Sequence, residues 1–249
     1  MEDFTLGLAL YDFVPVVLTG VAVYFIARVV RASGVPAARL AAFGAALVFI
    51  AGLTKAIWKL IATLAGVDLV WLASLLFPLM APGFALLAAG IWASRRRALP
   101  KSAVVWLVPG IAIAIAFALA AYRMNAGIER GWFMPIMSLA SVSNIVLTGL
   151  LFMLAWQRGQ RVTAVLFTVN LAMVFALIPI AQMESHSIVM HWLEQTLTAI
   201  GAAAFAYAAF RLSRGLAEAG GQSLSKHPEF SPTRAATLAG LATANKTVP

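Results

Sequence analysis

Cysteine does not occur in this chain, which removes disulfides, thiolate metal centres and cysteine nucleophiles from its chemistry. Charge is scarce as well: Asp, Glu, Lys and Arg make up 11% of the 249 residues, against about a quarter in soluble domains. Acidic residues are the scarcer sign, nine against eighteen basic ones. What fills the chain is apolar, with 62% hydrophobic residues and a mean hydropathy of +0.92. A soluble core cannot absorb that much apolar surface; a bilayer can.

A spanning helix needs about 20 mostly apolar residues. Such runs lie at roughly 6–28, 40–64, 68–93, 103–122, 132–155, 162–182 and 187–210. The expected fold is all-α: a polytopic integral membrane protein, a bundle of seven transmembrane helices. Lys and Arg in short loops are retained on the cytoplasmic side. The first, third and fifth loops hold Arg28, Arg31 and Arg39, then Arg95, Arg96, Arg97 and Lys101, then Arg158 and Arg161. The opposite loops carry Arg123 and Arg130. This bias places the N-terminus outside and the C-terminus in the cytoplasm, and the expected location is a bacterial inner (plasma) membrane.

The expected organisation is a transmembrane domain over 1–214 and a mobile cytoplasmic tail over 215–249, rich in Ala, Gly, Ser, Thr and Pro and too poor in large apolar residues to form a core. Met1-Glu2-Asp3 is acidic and lacks the basic start of a cleaved signal peptide, so the first span is expected to stay. The net charge of +9 follows from the loop bias. No basic stretch sits in a soluble segment with interleaved aromatics, so nucleic acid is not an expected partner. The bilayer is, with anionic lipid at the cytoplasmic face.

A few ionisable residues break the apolar runs, and they gather towards the outer side. A charge near the middle of a membrane helix costs about 2.5–3.5 kcal/mol or more, so each is a functional-site hypothesis. Asp12 lies about two turns below the outer surface, at 1.5 Å per residue. Lys59 lies near the outer interface and Lys55 one turn deeper, on the same helical face. On depth, Asp12 is expected to pair with Lys55, which relieves two desolvations at once. Lys59 is expected to snorkel, its stem buried and its ammonium at the interface.

The seventh span opens on the densest polar run. At 100° per residue, Glu184, His191, Gln195 and Thr198 share a stripe, with Glu194 beside it. Trp192 points elsewhere and fits an interfacial anchor. Glu184, His186 and His191 are candidate Zn²⁺ ligands, although the i,i+5 spacing of the two histidines does not align their imidazoles on one helix. A Cu⁺ site would draw on Met183, Met190 and His191, with Met134 and Met137 of the fifth span at similar depth. An interhelical hydrogen-bond network is the alternative to both. Deeper in the bundle, Ser141, Ser143, Asn144 and Asn170 either line the floor of a cavity or tie helices together.

Two further patterns bear on organisation. Leu18-Thr19-Gly20 recurs as Leu147-Thr148-Gly149, each after two β-branched residues, as parallel repeats of spans one to three and five to seven would give. Prolines fall within or at the ends of several spans, at Pro15, Pro78, Pro82, Pro109, Pro135 and Pro179.

Three families resemble the chain in outline. A heptahelical chain with an external N-terminus resembles the microbial rhodopsins, but those carry retinal on a lysine of the seventh helix. The seventh span here has none, so retinal on that helix is not expected. The topology is similar to that of sugar-transporting proteins built from two triple-helix bundles, without their proline-containing repeat motifs. It also resembles the membrane ceramidase-like hydrolases, from which the spacing of His186 and His191 departs.

The leading expectation for function is an outward-facing polar pocket that binds, senses or transports a small polar or charged ligand. Asp12, Lys55, His191, Glu194, Gln195 and Asn144 would contact it, and His191 would supply a pH link. One alternative is a metal-dependent lipid hydrolase with its site at the start of the seventh helix. The other is a structural or assembly subunit, with another membrane protein or a second copy as partner.

Overall fold

The computed structural model describes the backbone of residues 5–32, 35–95, 102–181 and 188–225, with side chains over 5–32, 37–95, 105–177 and 189–218. Helices account for nearly all of it, and no strand occurs among the described residues. In order they are α1 (Leu6–Tyr11), α2 (Phe13–Arg31), α3 (Val35–Ala65), α4 (Val70–Ser74), α5 (Leu76–Ser94), α6 (Ser102–Asn125), α7 (Phe133–Gln157), α8 (Arg161–Ala181) and α9 (Ile188–Ser225).

Two of the boundaries are proline breaks inside single spans. Pro15 has no N–H, so the carbonyl four residues back at Tyr11 loses its helical donor, and the helix is interrupted at Asp12. Pro78 stands in the same relation to Ser74, and α4 gives way to α5 at Leu75. Joined across these breaks, Leu6–Arg31 and Val70–Ser94 are two of six stretches among the described residues that are long and apolar enough to cross a membrane. The others are Ala37–Ala65, Val105–Asn125, Phe133–Gln157 and Val189–Glu218, and α8 adds an apolar helix of 21 residues. The chain is a helical, polytopic, membrane-integral protein.

Neighbour relations arrange these helices as a ring. α3 packs on α2 and most extensively on α5, α5 packs on α7, and α7 on α8. α9 closes the circle: Phe205 meets Phe167 of α8 at 5.8 Å, and Phe210 meets Phe25 of α2 edge-on at 5.3 Å. α6 leans on α5 and α7 from one side and is the least buried span, at 22%. The ring therefore has α1, α2, α3, α5, α8 and α9 available to enclose a site, while α6 stands apart from it.

Small residues set the tightest crossing. A Cβ added at Gly44 of α3 would lie 2.7 Å from the Gly83 carbonyl oxygen and 3.0 Å from the Leu87 nitrogen, both backbone atoms of α5. Without a bilayer-driven hydrophobic force between helices, close backbone approach at small residues is what holds membrane helices together. The two Leu-Thr-Gly runs, in contrast, sit in unlike places. Gly20 lies under the Phe49 ring, where an added Cβ would come within 2.7 Å, whereas one at Gly149 would meet nothing within 4 Å.

Contacts divide the described chain at Ser213, so that Arg214 and the described residues after it belong to a second unit. Its described part continues as helix through Ser225, beyond the boundary expected at 214, and carries an exposed Arg214–Glu218 ion pair of 2.9 Å.

Candidate functional site

The centre of the site is a buried ion pair. The Lys59 ammonium lies 2.6 Å from Oδ2 of Asp12, with both side chains about 5% exposed. The expected partner was Lys55, and that pairing is corrected here: the structure gives Asp12 to Lys59. The reason lies in the helix ends. Asp12 stands six residues after Leu6 at the start of its span, and Lys59 six before Ala65 at the end of an antiparallel neighbour. The two are level, about 9 Å from their helix ends at 1.5 Å per residue. Lys59 is accordingly not a snorkelling residue, because the carboxylate offers its ammonium a buried partner before the interface is reached.

The pair does not exhaust the carboxylate. Oδ1 is buried and accepts no hydrogen bond among the described residues. The Pro15 break just above puts Asp12 at a junction rather than within a regular turn, with its backbone still helical (φ −58°, ψ −24°). Lys55 and Glu194 also act on Lys59 electrostatically. Two anionic and two cationic side chains thus share one end of the bundle. With all four ionised, their charges cancel.

A cavity of about 250 Å³ opens beside this pair, between the α1–α2 junction, α2, α3, α5, α8 and α9. Its polar wall consists of Asp12, Thr19, Lys55, Glu194, Gln195 and Thr198, and Pro15, Val16, Phe49, Leu76, Met80 and Leu177 are among its apolar lining. Asp12 and Thr19 are seven apart on one helical face, and Glu194, Gln195 and Thr198 occupy adjoining turns of α9. Lys55 and Glu194 are half-buried and make no ion pair within 4.0 Å among the described residues. Thr198 donates its hydroxyl to the Glu194 carbonyl at 2.8 Å, which leaves its oxygen as an acceptor towards the cavity. Gly52 keeps α3 close enough to α2 to seal one side, where an added Cβ would press on Val16 at 3.2 Å.

Four of the six residues expected to contact a ligand line this cavity: Asp12, Lys55, Glu194 and Gln195. His191 and Asn144 do not. His191 is half-buried and engaged in contacts of its own, one turn before Glu194. Asn144 is buried in α7, away from these walls. Asn170 faces α9, its Oδ1 3.5 Å from where a Gly201 Cβ would stand, so it serves the helix contact. Thr19 is the site residue that sequence reasoning passed over, and Lys59 the one it assigned to the interface. The i,i+7 relation of Thr19 to Asp12 was the available signal.

Of the metal readings, Glu184, His186 and Met183 lie outside the described residues. Among the described residues, no group of three or more His, Asp or Glu is placed to hold a metal ion. Met134, one of the Cu⁺ candidates, is 56% exposed. Tyr11 and Trp192 meet at 5.6 Å beside the site, so Trp192 packs on α1 as well as standing at the helix end.

Fold and site together define a polytopic helical membrane protein with a charged cavity inside the bundle. Comparison with protein-family models, with curated proteins and with solved structures finds no match.

Proposed function

We propose that this protein binds a small polar or charged solute in the cavity between α2, α3, α5, α8 and α9, as a transporter or receptor of a bacterial inner membrane with the cavity open to the outside. The observation that carries this reading is the contrast between two pairs of charges. Asp12 and Lys59 neutralise each other in the wall, whereas Lys55 and Glu194 reach the cavity with no ion pair among the described residues. Charges of both signs held in an apolar surround cost free energy unless they are used or wetted. A solute carrying an ammonium and a carboxylate would satisfy both, and Gln195, Thr19 and Thr198 supply orienting hydrogen bonds. At about 250 Å³ the cavity is smaller than the pockets of drug-sized ligands, which suits a small solute.

The absence of cysteine makes the test direct. Lys55→Cys and Glu194→Cys, expressed in intact cells, are expected to react with a membrane-impermeant thiol reagent. Lys59→Cys, 4% exposed, is expected to stay unlabelled. Purified protein heated with a panel of small amino acids and betaines should gain several degrees with at least one of them, and Lys55→Met and Glu194→Gln should abolish that gain. Failure of both cavity positions to label, with no solute raising the wild-type midpoint, means a dry polar network and refutes the binding reading.

A further inference from the structure

A second hollow lies at the other end of the bundle, between α2 and α3, with a volume of about 530 Å³. Its floor is made of side chains that scarcely project: Gly20 and Ala27 of α2 face Ala38, Ala42 and Ala45 of α3. Its mouth is cationic. Arg28 and Arg31, one turn apart in the last turns of α2, both line it and both are exposed, and neither has an acidic partner among the described residues.

We infer that this groove is a binding site for an anionic phospholipid, its phosphate held by Arg28 and Arg31 and one acyl chain laid along the alanine-lined trough. Three observations select that occupant. The trough lies along membrane-spanning helices, so the molecules that reach it are lipids. From Gly20 to Arg31, α2 rises about 16 Å at 1.5 Å per residue. That is one leaflet of a hydrocarbon core about 30 Å thick, so the groove runs from headgroup level to the midplane. Finally, two guanidinium groups at the wide end complement a phosphate, which arginine binds in bidentate fashion. Basic pockets between membrane helices are the usual form of such sites. At the narrow end the Phe49 ring, seated on Gly20, stops the trough and sets the length of chain it accepts.

The site differs from the diffuse attraction of a basic face, because it requires a shape as well as charge. Native mass spectrometry of the detergent-purified protein, titrated with phosphatidylglycerol or phosphatidylcholine, separates the two. The wild type should retain phosphatidylglycerol at least tenfold more strongly than phosphatidylcholine. Arg28→Gln/Arg31→Gln should lose that preference, while Arg158→Gln/Arg161→Gln, which removes equal charge at the junction of α7 and α8, should keep it. Ala42→Leu fills the trough at an exposed position with both arginines intact, and should cut retention about as far as the double arginine variant. Thermal unfolding checks that each variant is folded. Retention unchanged by Ala42→Leu, retention lost equally in the Arg158/Arg161 variant, or a dimer that occupies the groove in place of lipid would each overturn the assignment.

Discussion

Asp12→Asn is expected to lower the thermal midpoint of the purified protein by about 10 °C, corresponding to roughly 3–5 kcal/mol for a buried pair broken from one side. The loss comes from what remains. Removing the carboxylate leaves Lys59 buried, with Lys55 one turn away and of like charge, and Glu194 the opposite charge acting on it among the described residues. Lys59→Met should cost less, about 2–3 kcal/mol, because Lys55, on the same face of α3, can turn its ammonium towards the abandoned carboxylate. Lys55→Met alone should change stability by under about 1 kcal/mol, as befits a side chain without an ion pair among the described residues.

The double variant decides the matter. Asp12→Asn/Lys59→Met removes both charges and should be no less stable than Asp12→Asn alone, a coupling of at least about 2–3 kcal/mol in a double-mutant cycle. Additive losses would show that the 2.6 Å contact does not couple the two residues energetically.

The second large effect is steric. Gly44→Ala should cost about 2–3 kcal/mol, at the upper end for overpacking by a single methyl. The new Cβ meets the Gly83 carbonyl oxygen at 2.7 Å and the Leu87 nitrogen at 3.0 Å, and backbone atoms cannot rotate away. Relief requires α3 and α5 to separate by about half an ångström along their whole crossing, which loosens an extensive helix contact. Gly149→Ala is the control. Nothing lies within 4 Å of its added Cβ, so the ordinary helix preference for alanine should leave it neutral or more stable by up to about 1 kcal/mol. Midpoints of the two variants in the same detergent test the contrast, and equal losses at Gly44 and Gly149 would rule out the close crossing as the cause.

How much of this could be read beforehand depends on which physical signal each feature leaves in the chain. The spans were legible because hydropathy over about 20 residues is a property of the segment itself. Starts near 6, 68, 132 and 187 fall within two residues of Leu6, Val70, Phe133 and Val189. The inner ends were less so: α2 runs to Arg31 rather than 28, since exposed arginine stems can extend a helix past the apolar run. The break at Asp12 was available from Pro15, whose missing donor acts four residues back.

The cluster of Asp12, Lys55, Glu194 and Gln195 was legible from depth and helical face, but the choice between Lys55 and Lys59 was not. Those lysines share a face and differ by one turn, so the pairing turns on where α3 ends and how α1 meets it, and neither is written locally. Asn144 fails for a related reason: a polar residue at suitable depth says nothing about which neighbour its helix faces. The glycine contacts also required coordinates. Gly20 and Gly149 stand in matching Leu-Thr-Gly runs, and only their neighbours distinguish them.

Phe49 belongs to both hollows, lining the charged cavity on one side and closing the alanine trough on the other. A ring shared in this way is a mechanical partition rather than a mere packing residue. Were a solute and a lipid to bind as proposed, the rotamer of that ring that suits the solute would also set how deep a fatty chain can reach, and the two occupants would be thermodynamically coupled. Linkage then fixes the symmetry of the effect: the factor by which lipid alters solute affinity equals the factor by which solute alters lipid affinity. The composition of the membrane would thereby tune a site that the lipid headgroup never touches.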